Sequence, residues 1–585
     1  MQLHPIPHRP RPNKVVRALL RASIALAWLL TAAGLPAQTS ASDAAADQSS
    51  PSKPIFEEWV VVVLDGKTCG FGSTVTTRTD TPTGPQYLTT HQEEFVVKRS
   101  GTDLKIVETS KVTEDADGGV LGFDQVSEAG SSVESSGVRE GDDMVVSSRG
   151  QTQRFHLPRL SALGPEAVRR LSDAVPLKPG HTFTLHTFST DYPQGVVDET
   201  ATVAGQEMHD VRGEERRLWK LTSEVSLMPG LLSTMWVDDK NQDVDSLTVL
   251  PGIGNMHEYV TDRAECMKQP QGAEIFTTTL IHPQTALPSP HDLGQAVYRL
   301  IPVNLNDKLN LWNEGEQRIL SSDPGSCVVE VTAPRYTAAD ATWQLPHDDT
   351  PELHRYLQAS AYLEVNSPEI QALARQAVGD EKNPVLAAHL IEHFVRGYIT
   401  KKDLNIGFGS AEETAKSREG DCTEHAVLCA ALGRAAGLPT RCVVGFGYIP
   451  PGDQEPTIST ATDSNTGFFG FHMWAEAWIG PDEWVPMDAA LDGFDVGHIA
   501  ITKSALEEVN PIVDLNTPVL QMMESLKIEI VKTVLKRDMP PLPSPVAPAT
   551  PPPVAETSPA PPPDTPAMAT PPPPPPDRTS LPPLD

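Results

Sequence analysis

From about Ile55 to Lys268, apolar and polar residues alternate in short runs. WVVVVL (59–64), QYLTT, EEFVVK and DLKIVET come first, then HTFTLHTF, RRLWKLTSEV, LSTMWVDD and DSLTVL, with Gly, Asp and Pro between them. A period of two in β-branched and aromatic residues predicts antiparallel strands in a strongly curved sheet. One helical patch, PEAVRRLSDAV (165–175), interrupts it. AVYRLIPV and CVVEVTA add strands beyond a break near 270–290, which divides the β-rich region 54–345 into two parts. No nucleophile motif falls in this region, and a scaffold or recognition role is expected of it. DDKNQDVDS (238–246) has alternating acidic spacing, but Val244 and Leu250 stand where a calcium loop needs Gly and Glu, so it reads as a solvated turn.

The period then lengthens. PEIQALARQAVG (368–379) and NPVLAAHLIEHFVRGYI (383–399) carry apolar residues at helical spacing with Pro near each start. GDCTEHAVLCAALGRAAG (420–437) predicts a helix from about Cys422 to Ala436, stopped by Gly437 and Pro439. RCVVGFGYI (441–449), FFGFHMWAEAWI (468–479) and EWVPMDA (483–489) read as strands, and 450–467 as a polar loop placed to cover a cleft. The fold class expected is α+β: a β-rich accessory domain, then a domain over 346–535 with its core at 383–500, in which a cysteine-bearing helix packs on an antiparallel sheet.

The two ends change the picture. Arg9, Arg11, Lys14, Arg17 and Arg21 precede the apolar run Ala22–Leu35, and small residues follow, with cleavage expected after Ala37 or Ala41. This is the pattern of a signal peptide over 1–41, too short to span a bilayer; retention as an N-terminal tether is the alternative. A linker over 42–53 follows, and no other run would cross a membrane. Residues 540–585 are dominated by Pro, Ala, Thr and Ser and read as a disordered or polyproline tail. The protein is thus expected to be exported, to the periplasm, cell envelope or outside. A formal charge of −31 argues against nucleic acid as a partner. Six cysteines in 585 residues are too few for a disulfide scaffold, although an oxidising compartment permits bridges.

The chemistry concentrates around Cys422. Asp421 is an N-cap with Glu424 three residues on, a capping-box pair that makes Cys422 the first helical residue. Unsatisfied N–H groups and the positive helix end there favour thiolate, while the two carboxylates oppose it. Strand alternation puts His472, Trp474, Glu476 and Trp478 on one face and Phe471, Met473, Ala475 and Ala477 on the core face. If Trp478 pairs with Trp484, Asp488 lies opposite Trp474 and diagonal to His472, about 7–8 Å away at the backbone and within hydrogen-bonding reach. A slip of one residue would put the two on opposite faces.

In that register Cys422 is the nucleophile, His472 its base and proton donor, and Asp488 the group that orients the ring. Asp421, His425 and Trp474 are candidate cleft-lining residues, and Glu476 is expected to be structural. Cys429 reads as a buried hydrophobe. A zinc site from Cys422, His425 and Cys429 is disfavoured because i and i+7 lie about 10.5 Å apart along a helix. No metal and no cofactor are expected.

GDCTEHAVLCAALGRAAGLPTRCVVGFGY, FHMWAEAWI and EWVPMDAAL resemble, in order and spacing, the transglutaminase-like cysteine enzymes, over roughly 350–500. The resemblance implies a papain-like core with Cys422, His472 and Asp488 as its triad, and chemistry on amide bonds of a protein or peptide through an acyl-thioester. Relatives cross-link, hydrolyse or lack catalysis, so a catalytically degenerate binding or envelope-assembly module is the alternative. Animal members use a tryptophan before the cysteine as a second oxyanion donor; between Trp343 and Cys422 this chain has none.

Overall fold

Alternation in the N-terminal half produces a single large meander. The computed structural model describes residues 53–540 except 100–101, 130, 227–230, 251–252, 275–279, 303–308, 310, 402–407, 452–464, 482 and, apart from Leu515, Val519 and Met522, 508–525. The expected signal peptide, nearly all of the expected linker, most of the 450–467 loop and the Pro-rich tail therefore lie outside the described residues.

Strands β1 (Phe56–Leu64), β2 (Lys67–Thr81), β3 (Gly84–Arg99), β4 (Thr102–Asp115), β5 (Val120–Ala129), β6 (Ser131–Glu140), β7 (Asp143–Ser148) and β8 (Gln151–His156) follow one another. After helix α1 (Pro165–Asp173) come β9 (Thr182–Thr187), β10 (Val197–Val211), β11 (Glu214–Val225), β12 (Leu232–Val237), β13 (Asp243–Leu250) and β14 (Gly254–Thr261). Each strand pairs antiparallel with its sequence neighbours within its half, and β1 pairs with β14 to join the halves. Leu163 bridges Gly119 and Thr187, linking the start of β5 to the far edge strand β9. The β1–β2 turn is tight because Asp65 and Gly66 both take positive φ, 47° and 76°, the backbone of a two-residue hairpin turn. Inward residues such as Val62, Phe95, Ile106, Leu221 and Met235 form its core. The expected antiparallel sheet is present, and the helical patch within 165–175 is helix α1.

Helix α2 (Arg263–Cys266) and the short strand β15 (Ala273–Glu274), which adds to β3, close this region. A second sheet follows, of β16 (Leu293–Pro302), β17 (Gln317–Asp323) and β18 (Ser326–Thr332). Its fourth strand comes from far along the chain: β23 (Leu526–Leu535) pairs with β16.

Between them lie four helices, α3 (Pro368–Val378), α4 (Pro384–Tyr398), α5 (Ala411–Ser417) and α6 (Cys422–Ala435), and a sheet of β19 (Thr440–Ile449), β20 (Phe468–Gly480), β21 (Glu483–Met487) and β22 (His498–Ser504) in the order β21-β20-β19-β22. Pro at the first helical position starts α3 and α4, where its missing N–H costs nothing. Helix α6 is buried from Thr423 to Arg434, as an almost wholly apolar helix must be. It packs against β19 and β20 through Val427, Ala430, Met473 and Ala475. Arg434, buried at its end, donates to the carbonyls of Gln358, Thr440 and Ala505 at 2.7–3.0 Å. Gly445 of β19 sits between His472 of β20 and Ala500 of β22. A Cβ there would overlap the Ile499 carbonyl oxygen.

The large sheet buries carboxyls. Burial pushes Glu114 up to about 7, Asp191 to about 6 and Glu199, beside Asp243, to about 8. Each therefore holds in the fold a proton that the unfolded chain releases near pH 4–4.5, so stability falls as pH rises through the window between these values. Thermal unfolding at pH 5 should occur at a higher temperature than at pH 8, each such carboxyl contributing on the order of 1.4 kcal/mol per pH unit within its window; a Tm independent of pH would contradict the protonated state. Replacing Gly445 by Ala should lower Tm by several degrees through the β19–β22 pairing, measurable by calorimetry.

Candidate active site

Helix α6 begins where its capping box dictates. Asp421 Oδ1 accepts from Thr423 N at 2.9 Å and Thr423 Oγ1 at 2.8 Å. Glu424 reaches back, its Oε2 accepting from Asp421 N at 2.9 Å. Its Oε1 takes Gly409 N at 2.8 Å, tying α6 to the segment before α5. Cys422 is thus the first helical residue, where the helix N-terminus favours a thiolate. Burial and the neighbouring Asp421 charge push the Glu424 carboxyl well up.

The six cysteines divide sharply. Cys422 is partly exposed; Cys69, Cys266, Cys327, Cys429 and Cys442 are buried, and no disulfide joins them. Burial pushes Cys429 well up, Cys442 to about 12 and Cys266 to about 11. Those thiols stay protonated and inert at neutral pH.

Strand register brings the other two candidates together. Trp478 lies opposite Trp484, and Ala475 opposite Met487. Asp488, one residue beyond β21, meets His472 on β20, and His472 Nε2 donates to Asp488 Oδ2 at 2.8 Å. With Nε2 so engaged, Nδ1 is the nitrogen left for a thiol or substrate. Asp488 Oδ1 accepts from Ala490 N at 2.9 Å and Leu491 N at 3.2 Å. The side chain of Asp488 is 1% exposed.

The sequence reading did not include His498. At the start of β22, its Nε2 donates to the same Asp488 Oδ2 at 2.9 Å. Asp488 is therefore held by two imidazoles and two backbone N–H groups. Burial alone would raise its carboxyl; hydrogen bonds and charge from His472 and His498 overcome this and hold it well below the ordinary range. The signal was DVGHIA, a histidine three residues after Asp495 at a strand start, but nothing local marks it as a neighbour of His472.

The remaining candidates take supporting places. His425 is 2% exposed and lies with Nδ1 2.5 Å from the Asp421 carbonyl oxygen, so it braces the first turn of α6 rather than lining an open cleft. Trp474, 1% exposed, packs with Val443, Ala500, Phe494 and Trp312, and its ring stacks on His472 at 6.0 Å. It is a covered floor beside the histidines, not a cleft wall, because Val443, Ala500, Phe494 and Trp312 close over it. Glu476 is structural: it pairs with Arg441 at 2.7 Å and Lys503 at 3.0 Å, and Arg441 stacks on Trp484 at 3.8 Å.

His472, Asp488 and His498 bring three metal-ligating atoms within 4.8 Å of one another. The two N···O separations of 2.8 and 2.9 Å are hydrogen-bond lengths. Two ligands on one tetrahedral zinc, bonded at about 2.0–2.1 Å, would lie about 3.3 Å apart.

The profile of the Transglutaminase-like superfamily matches residues 371–489. An uncharacterized protein of Haemophilus influenzae is 28% identical over 151 residues, which is 24% of this chain and 40% of the relative; the chain spans well under half of that relative's length. Among solved structures, a candidate cysteine protease from Cytophaga hutchinsonii is 18% identical, covers 40% of this chain and 83% of its own, and has a TM-score of 0.25. The periplasmic domain of TgpA from Pseudomonas aeruginosa, bound to ethylmercury, is 15% identical over 36% of this chain and 88% of its own, with a TM-score of 0.24. A β-barrel-like domain of unknown function from Brucella abortus is 17% identical over 35% of this chain and 95% of its own, with a TM-score of 0.26. Structural likeness at these scores does not bear on the arrangement of the site. The profile match spans α6, β19, β20 and β21 and ends just past Asp488, so residues 371–489 carry the match to a transglutaminase-like core.

Proposed function

We propose that this core is a cysteine enzyme acting on amide or peptide bonds of a protein substrate through an acyl-thioester. The observation that carries the reading is the His472–Asp488 hydrogen bond of 2.8 Å in the same core as Cys422, the one cysteine not buried, at the start of α6. In this papain-like scheme the Cys422 thiolate adds to the acyl carbon. The backbone N–H of Cys422, at the helix start, is a donor for the oxyanion that forms. As the tetrahedral adduct collapses, the carbon–nitrogen bond breaks and His472 Nδ1–H passes its proton to the leaving amine. Asp488, fixed by Ala490 and Leu491, holds the ring with Nδ1 outward and stabilises the imidazolium. Water or a second amine then adds to the thioester, His472 removes its proton, and the Cys422 thiolate leaves, giving acid or new amide. Exclusion of water from the site decides between the two products.

Export is part of the same proposal. Among the described residues no helix is long and apolar enough to cross a membrane, and Arg9–Leu35 has the layout of a secretory signal. Mass spectrometry of protein recovered from the cell envelope should find a mature N-terminus at Gln38 or Ser42; an intact N-terminus would favour the tether.

Alkylation of each cysteine against pH, read by peptide mass spectrometry, is the direct test of the nucleophile. Cys422 should react well below pH 8.5, the ordinary thiol midpoint, while the five buried cysteines stay unmodified, and His472→Ala should remove that reactivity. On peptide amides, Cys422→Ala and His472→Ala should each lower kcat/KM by about four orders of magnitude, and the double variant no further, because a triad acts as a unit. Independent, additive losses would argue against the assignment.

A further inference from the structure

The described chemistry uses His472 and Asp488 but leaves unexplained why a second buried histidine shares the same carboxylate oxygen. His498 lies between two carboxylates. Its Nε2 is 2.9 Å from Asp488 Oδ2. Its Nδ1 is 3.1 Å from the Asp495 carbonyl oxygen and 3.2 Å from Asp495 Oδ1. The one donor near Nδ1, Asp495 N–H at 3.2 Å, is outnumbered by these acceptors, so the geometry favours a proton on both nitrogens. The ring is 2% exposed, stacks on Phe494 at 4.5 Å and meets Trp474 edge-on at 5.3 Å. Asp495 Oδ2 in turn lies 3.2 Å from Nδ1 of His291, which is half exposed. His472, Asp488, His498, Asp495 and His291 thus form an alternating imidazole–carboxylate chain from the buried site to solvent.

We propose that His498 is a positioning residue for the reaction described above: as an imidazolium clamped between Asp488 and Asp495, it fixes the Asp488 carboxylate and sets the charge that His472 and Cys422 experience. The inference rests on the Cys–His–Asp reading. Burial disfavours the charged ring, but hydrogen bonds to Asp488 and Asp495 and their charges outweigh it and raise His498 to about 10. The ring centres of His498 and His472 are 5.3 Å apart. In the proposed cysteine–histidine pair, a fixed positive charge at that distance from His472 favours the Cys422 thiolate. Other ionisable groups facing it among the described residues include Tyr298, whose hydroxyl donates to the Val496 carbonyl at 2.7 Å, Arg396, which donates to the Asp488 carbonyl at 3.0 Å and pairs with Glu392, and the buried Cys429 thiol, which faces Asp488. With Asp488 and Asp495 ionised and His498 protonated, the three carry a net charge of −1; without His498 they carry −2, and without the Asp495 charge they carry zero.

This arithmetic gives a test with opposite signs. The readout is the pH profile of Cys422 alkylation by iodoacetamide in the full chain, which needs no substrate. His498→Gln should move both limbs of the profile to higher pH by about one unit, because the thiolate and the imidazolium each lose a nearby cation. Asp495→Asn should move them to lower pH, because a carboxylate is lost while Asp488 still holds His498 charged. A purely structural role for these residues would loosen the site and move both variants in the same direction, and that result, or two unmoved profiles, overturns the proposal. Should His498→Gln fail to fold, Asp495→Asn decides alone: a shift downward supports the proposal, and no shift or an upward one overturns it. The wild-type profile separates the two levels of inference. A Cys422 no faster than an ordinary thiol below pH 8.5 overturns the nucleophile and this role with it, whereas a reactive Cys422 with unmoved variants overturns only the role of His498.

Discussion

A carboxylate removed from water must find donors for both oxygens, and Asp488 finds four. Two come from the backbone of the turn that follows it, Ala490 and Leu491. Two come from imidazoles on strands that flank β19 on opposite sides, His472 on β20 and His498 on β22. An ion of this kind without partners would cost several kcal/mol. The register of β20 against β21, the start of β22 and the turn at 489–491 are therefore mutually dependent. Gly445 is part of the same constraint. It lies opposite His472 on one side and Ala500 on the other, where a side chain would force β22, the strand that bears His498, away from β19.

Beyond His472 the same face of β20 is covered. Trp474 is covered by Phe494 and Ala500, and Glu476 is neutralised by Arg441 and Lys503. A dry surround strengthens each hydrogen bond to Asp488 and makes any charge change on His498 felt at His472. The opposite face, with Met473 and Ala475, packs on α6, the helix that begins at Cys422. The β-rich region is held differently. Its interior includes carboxyls such as Glu114, whose oxygens accept from Glu166 N and Ala167 N at the start of α1, and its stability depends on their protons as well as on apolar packing.

How much of this was legible depended on the range of the interaction. The Asp421–Glu424 capping box, the start of α6 at Cys422 and its stop near Gly437 involve residues three or four apart, and the chain declares them. Alternation placed His472 and Trp474 on one face of β20, and the Trp478–Trp484 pairing needed only a short hairpin. What covers that face could not be read: Phe494, Val443 and Ala500 come from separate strands and turns, so a Trp expected at a cleft is instead a buried floor. The strand Leu526–Leu535 shows the same limit, since its partner Leu293–Pro302 lies more than two hundred residues earlier.

The sequence by itself determined the strand-rich first half, the helix that begins at Cys422, the faces of β20 and, through three ordered motifs, the superfamily of the core, because each rests on periodicity, capping or local spacing. Only the tertiary structure decided that Asp488 is shared, that His498 and Asp495 extend the site, and that the chain ends at His291 near solvent. Those contacts are made by strands brought side by side across β19 and by segments two hundred residues apart, and no local pattern encodes which buried histidine a buried carboxylate will meet.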